Sequence, residues 1–171
     1  MSKRIFEGKH VDVFERDGWE YVQRKKATEA VAIIAVTTDD RVILTEQARR
    51  PVAARVIDWP AGLVGDEEGG SNDPEETAKK ELEEETGYVC ASVELLAKGP
   101  SSPGITSELV SLYRARGVER RGEGGGVGGE AIDVHAVPLS ALRHWLQRKE
   151  GEGVLVDLKV WSGLHFITTS A

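Results

Sequence analysis

Cysteine is almost absent. Cys90 is the only one, which excludes an intrachain disulfide and a four-thiolate metal site and suits a reducing compartment. Long apolar runs are missing too. No stretch reaches the length of a membrane span, and the opening MSKRIFEGKHVDVFERDG lacks the apolar core of a secretory peptide, so a cytoplasmic chain without membrane contact is expected. Basic residues are outnumbered, 22 Lys and Arg against 29 Asp and Glu, for a net charge of −7. Nucleic-acid binding draws its affinity from clustered cations, so that class is set aside. An acidic chain can still take a phosphorylated small molecule if metal ions stand between the charges. The four histidines, His10, His135, His144 and His165, show no metal-ligand spacing and read as structural.

What is present, 171 residues of which 40% are hydrophobic, suits one compact domain with a small appendage. Residues 1–28 alternate short β-branched and aromatic runs around Gly8 and an Asp17-Gly18 turn, which predicts two or three antiparallel strands. So thin an element has to pack on the main domain or on a partner subunit. Residues 29–171 form the main domain. A buried hairpin is expected there, with one strand from Ala30 to Val36, a turn at Asp39-Asp40 and a second strand from Val42 to Thr45. A short strand follows, then a Trp59-Pro60-Ala61-Gly62 turn and a polar loop.

That loop leads into a helix with Asp73 as N-cap, Pro74 at its first position, Glu76 as a capping-box acid and Gly87 as its stop. Three more strands are read in SVELLAKG, ELVSLYRAR and IDVHAVPL. A helix capped by Ser140 comes next, and the chain closes on a helix whose Leu158, Trp161 and Leu164 are spaced for packing. Strands and helices that do not strictly alternate indicate an α/β (α+β) fold, with a mixed sheet between helices.

The helix from Pro74 is unusual in its charge. Glu81, Glu84 and Glu85 share one face, while Ala78 and Leu82 form a separate apolar stripe. A solvated acidic surface is the plain reading. Against it, like charges three or four residues apart disfavour a helix, and acids in the last turn oppose the macrodipole at about 0.3–1 kcal/mol each. Divalent cations would supply a reason for the arrangement, because carboxylate oxygens suit Mg²⁺ or Mn²⁺ and such ions bridge to phosphates.

The stretch KELEEETGY resembles the second half of the Nudix box, with Glu81, Leu82, Glu84, Glu85, Gly87 and Tyr88 on matching positions and Lys80 where the pattern has Arg. Asn72 falls where the pattern has its first Glu, and the loop after Gly62 is about four residues longer than the pattern's, with Glu67 or Glu68 as substitutes. Pro103 in SPGITSE and the later GGEAIDVHAVPLSAL are similar to segments of ADP-ribose pyrophosphatases and related nucleoside-diphosphate-sugar hydrolases.

The resemblance implies a Nudix α/β/α sandwich and a homodimer formed through the N-terminal strands. It implies hydrolysis of ADP-ribose or a similar nucleoside diphosphate sugar with Mg²⁺ or Mn²⁺, more than one ion being bound. By the same resemblance the metal ligands are Glu81, Glu84, Glu85, Glu130 and the Ala61 carbonyl. Glu84, Glu85 and Glu130 form the catalytic set, with Glu123 as the fallback for Glu130. Arg49 or Arg50 would contact phosphate and Glu108 the distal ribose, and Trp19 and Tyr21 would stack on a base. The glycine run before Glu130 reads as a flexible loop or as a tether for that acid. Another nucleotide substrate, such as GDP-mannose or a dinucleoside polyphosphate, and a catalytically silent binding module motivated by Lys80 and Asn72, are the alternatives.

Overall fold

The computed structural model describes residues 1–27, 29–66, 71–127, 129 and 131–168. Three antiparallel strands come first: β1 (Lys3–Glu7), β2 (Val11–Arg16) and β3 (Trp19–Arg24). Asp17 and Gly18 both have positive φ, 53° and 84°, the backbone of a two-residue turn whose twist matches its strands. This sheet does not end at β3. The Val22 N–H donates to the Ile105 carbonyl at 2.8 Å and Ser107 N–H donates to the Val22 carbonyl at 3.1 Å, so residues 105–107 extend it.

The large sheet is built around β4 (Glu29–Val36), which pairs in parallel with β10 (Leu109–Arg116) and antiparallel with β7 (Ala61–Leu63). Strand β9 (Ser92–Pro100) lies antiparallel outside β10. Strand β5 (Arg41–Arg49) holds β12 (Asp133–Pro138) and β6 (Ala54–Asp58), and β13 (Leu155–Val156) lies parallel to β6. The expected hairpin of β4 and β5 is therefore brief. The two strands share only the pairs Ala35 with Ile43 and Val36 with Val42 before each takes other neighbours. Strands β8 (Tyr88–Val89) and β11 (Glu119–Arg120) make a separate small ladder.

The apolar run of β4 reads as continuous because both faces are covered. Val31, Ile33 and Ala35 pack with Ala78 and Leu82 of helix α1 (Pro74–Thr86), whereas Ala32 and Ile34 face the opposite layer. Leu142 and Leu146 of α2 (Leu142–Gly151) and Val160 and Leu164 of α3 (Leu158–Thr168) make up that layer. The expected sandwich is thus observed, with α1 on one side of a mixed sheet and α2 and α3 on the other.

Four local expectations are corrected. Trp59 to Gly62 is not a turn: Trp59 is fully buried, its Nε1 donates to the Lys159 carbonyl at 2.8 Å, and Ala61 begins β7. Glu76 does not reach back to the N-cap amide. The Ser71 hydroxyl stands between, donating to Glu76 Oε2 at 2.6 Å and accepting from Asp73 N–H at 3.1 Å. Ser140 does not cap α2, because a 3₁₀ turn over Leu139–Ala141 precedes it and the Leu139 N–H is held by the Asp40 carbonyl. In α3, Leu158 is 81% exposed, and Val160 takes the packed position instead.

Candidate active site

Helix α1 starts as its sequence dictates. Asp73 Oδ1 accepts from the Glu75 N–H at 2.9 Å, and Pro74, which has no N–H to leave unsatisfied, opens the first turn. It stops at Gly87, whose φ of 73° is the left-handed cap conformation. Between these ends Ala78 and Leu82, both fully buried, fix the rotation of the helix on the sheet. The acids are thereby turned toward β7.

Glu85 is 6% exposed and its Oε2 accepts from the Ala61 N–H at 2.9 Å. Glu81 lies against Gly62, where a Cβ would fall 1.9 Å from its Oε1. Glycine at 62 is what lets that carboxylate lie on the main chain. Glu84, half-buried, pairs with Lys80 at 3.4 Å. A hollow of about 210 Å³ opens beside them, lined by Glu81, Lys80, Leu63 and Gly65 among others. Asn72 reaches toward the same loop, its Oδ1 being 2.5 Å from where a Cβ of Gly65 would stand.

The acidic end of α1 has partners that its sequence does not reveal. Gly125 N–H donates to the Glu85 carbonyl at 2.8 Å and Gly126 N–H to the Glu84 carbonyl at 3.1 Å, while Arg121 and Gly122 N–H both donate to the Gly87 carbonyl. Backbone donors thus meet the negative end of the helix. Contact is close enough that a Cβ on Gly124 would sit 2.3 Å from the Thr86 carbonyl carbon. The first half of the glycine run is therefore docked rather than a free tether.

Ala61, Glu81 and Glu85 are brought together, with Glu84 beside them. Glu130, Glu67 and Glu68 lie outside the described residues. Among the described residues no group of three or more His, Cys, Asp or Glu is arranged to hold a metal ion. Glu123 lies in the docked glycine run, between Gly122 and Gly124. Arg49 and Arg50 are exposed at the end of β5 and in the turn after it. Glu108 is engaged by Arg24 at 2.5 Å and by the Ser101 hydroxyl at 3.3 Å, linking the large sheet to β3.

Trp19, 66% exposed, and Tyr21 line a separate hollow of about 450 Å³ with Pro103 and Thr106. Tyr21 stacks on Phe14 at 5.8 Å, with the Arg16 guanidinium 5.5 Å from its ring. Sequence reasoning missed Gly62 and the glycine amides. Both act through the main chain, so residue chemistry gives no sign of them, and only the close spacing of Ala61-Gly62 before an acidic helix could have done so.

A model of the NUDIX domain matches residues 26–157. The chain is 36% identical over 121 residues to the methanol dehydrogenase activator of Bacillus methanolicus, covering 70% of this chain. It is 34% identical over 120 residues to the ADP-ribose pyrophosphatase of Bacillus subtilis, covering 67% of this chain. It spans 63% of the length of each of these relatives. A crystal structure of an ADP compounds hydrolase superposes with a TM-score of 0.66 at 20% identity, covering 86% of this chain and 80% of that one, a likeness of fold. With the family model taking in most of the chain, from just before β4 to the residue after β13, the chain belongs to the NUDIX domain family.

Proposed function

We propose that the chain hydrolyses the pyrophosphate bond of ADP-ribose or a related nucleoside diphosphate sugar, releasing a nucleoside monophosphate and a sugar phosphate. The observation that carries this reading is the convergence of Glu81 and Glu85 on the backbone of Ala61 and Gly62. Likeness to an ADP-ribose pyrophosphatase supports the substrate class.

An oxygen-only donor set fits Mg²⁺ or Mn²⁺, and the glycine at 62 leaves room for a carboxylate beside a main-chain carbonyl. Glu81, Glu84, Glu85, the Ala61 carbonyl and Glu130 would hold more than one ion, each taking the rest of its shell from water and phosphate oxygens. When bound, such ions neutralise pyrophosphate charge and lower the pKa of a bound water.

The protein's own contribution is placement. The Ala61 N–H holds Oε2 of Glu85 and so fixes how that carboxylate is turned toward β7. Lys80 restrains Glu84 as a point charge, without the two-pronged grip of the Arg usual there. Glu84, Glu85 and Glu130 are the candidate acceptors for the proton of the attacking water, with Glu123 in reserve. Arg49 or Arg50 offers forked donors to phosphate. The hollow of Trp19 and Tyr21 takes the base by stacking, and Glu108 would act at the distal ribose only by sharing its bond to Arg24. Residues 29–171 would carry the chemistry and residues 1–28 the dimer contact, in a reducing cytoplasm that suits the single Cys90.

The test is release of AMP from ADP-ribose with Mg²⁺, with and without chelator, in wild type and Glu85→Gln. Loss of a group that positions an ion or a proton lowers the rate by about 10²-fold or more. Metal-dependent AMP release that is lost in the variant supports the reading. A wild type silent on ADP-ribose, GDP-mannose and other nucleoside diphosphate sugars, yet still binding nucleotide, would replace it with a binding module in which Lys80 and Asn72 have cost the activity.

A further inference from the structure

The turn between β1 and β2 and the segment leaving β3 lie side by side. Gly8 closes that turn, its N–H donating to the Val11 carbonyl at 3.0 Å and to Asp12 Oδ1 at 3.3 Å. The Lys25 N–H then donates to the His10 carbonyl at 3.1 Å and joins the two segments. Between them is a hollow of about 440 Å³ lined by Lys9, His10, Arg24, Lys25 and Lys26. Ala27, 3% exposed, also lines it, and Leu63 and Asp66 form its boundary toward the acidic helix.

Two of its cations are already engaged. Arg24 is bound to Glu108, and Lys25 to Glu7 at 2.9 Å and Asp12 at 3.5 Å. Lys9 and Lys26 make no side-chain hydrogen bond or ion pair with any described residue. Among the described residues, Asp66 is the one acid lining the hollow. In a chain with a net charge of −7, this is a local reversal of sign inside a concave surface, which concentrates the field on an entering anion.

Leu63 and Asp66 also line the hollow that contains Glu81, so the basic and acidic sites share a wall. We propose that the basic hollow binds a phosphate monoester, with the ammonium groups of Lys9 and Lys26 as its principal donors. A lysine serves such a group as a mobile point charge. The phosphate would come from the far sugar of a nucleoside diphosphate sugar that carries an additional phosphate, or from a free sugar phosphate. Only the first source rests on the pyrophosphatase reading.

The test begins with calorimetric titration of ribose 5-phosphate into the full chain in the presence of chelator, with ribose as control, for wild type and Lys9→Ala/Lys26→Ala. Both lysines are exposed, so the double variant keeps its fold, which its circular dichroism checks. Binding of ribose 5-phosphate but not ribose, weakened at least tenfold in the variant, is the expected result. Absence of binding by wild type, or equal affinity in the two proteins, overturns the proposal.

A second arm compares kcat/KM for ADP-ribose with that for ADP-ribose phosphorylated on its distal sugar. A preference of tenfold or more for the phosphorylated substrate, erased in the variant, assigns the phosphate to the substrate. Binding without such a preference assigns it to the free monoester. If neither substrate is hydrolysed, the pyrophosphatase reading fails while the titration still decides the hollow.

Discussion

Gly62 has no side chain, and the room this leaves is filled by Glu81. In Gly62→Ala the new Cβ would stand 1.9 Å from Glu81 Oε1, so the carboxylate must swing away. The obstacle is the Glu81 side chain from Cγ outward, at 2.3 Å, 2.0 Å and 1.9 Å for Cγ, Cδ and Oε1, and because rotation about its own Cα–Cβ bond can carry all three away, stability should change by less than about 1 kcal/mol. If Glu81 is a metal ligand as proposed, its displacement should lower turnover by about 10²-fold. A melting curve and an AMP-release assay on the same preparation separate the two effects, and equal loss in both would show that Gly62 matters for folding instead. Glu46 presents the opposite case, a buried acid far from α1 in sequence and role. It is 4% exposed and bound by Arg55 at 2.6 Å and by Lys149 and His135 at 2.9 Å each. Burial alone would raise its carboxyl, but these partners outweigh burial and bring it down to about 2. A depressed folded-state value stabilises the fold fully above the ordinary value of 4.5, and that stability is lost as pH falls toward 2. The window corresponds to about 3 kcal/mol. Glu46→Gln should flatten the fall in melting temperature between pH 5 and pH 2.5, and an unchanged slope would place the acid sensitivity elsewhere.

At the scale of the element, α1 shows which features a sequence reveals. Asp73, Pro74 and Gly87 act on their immediate neighbours, so the ends of the helix and its apolar stripe could be read directly from the chain. Glu76 could not, because Ser71 intervenes from outside the motif, and Ser140 could not, because the Asp40 carbonyl organises the turn before α2 from another strand. Strand β7 was hidden for the same reason: burial of Trp59 in the far layer and pairing with β4 are tertiary facts. The candidate site divides similarly. Its acids are legible because carboxylates on one helical face are a local pattern, whereas the Ala61 amide and the glycine donors belong to the backbone. The glycine run is the element whose reading changed most. Gly124, with φ of 71°, lies against Thr86 and Gly87. Gly124→Ala should cost about 1 kcal/mol from its left-handed backbone alone, and more from the clash. Hydrogen exchange at the Gly125 and Gly126 amides, expected to quicken in the variant, reads whether the loop has left the helix end.

For the whole molecule, the N-terminal sheet sets the outer boundary. Every residue of β1 is exposed, including Ile5 at 44% and Phe6 at 61%, and among the described residues the strand pairs only with β2. Such an edge invites a further strand or subunit. Sedimentation equilibrium should therefore give twice the mass of the chain, with Phe6→Lys shifting it toward the monomer, and a monomeric wild type would remove the dimer from the account. The sheet is also fastened inward, by the bonds of Val22 to Ile105 and Ser107 and by the Arg24 pair with Glu108. Segments separated by some eighty positions in the chain are thus halves of one fitting. A chimera that borrows its first strands from a relative should recover its melting temperature only when that relative's residues at 101–108 are transplanted with them, which makes the two segments a single unit of inheritance.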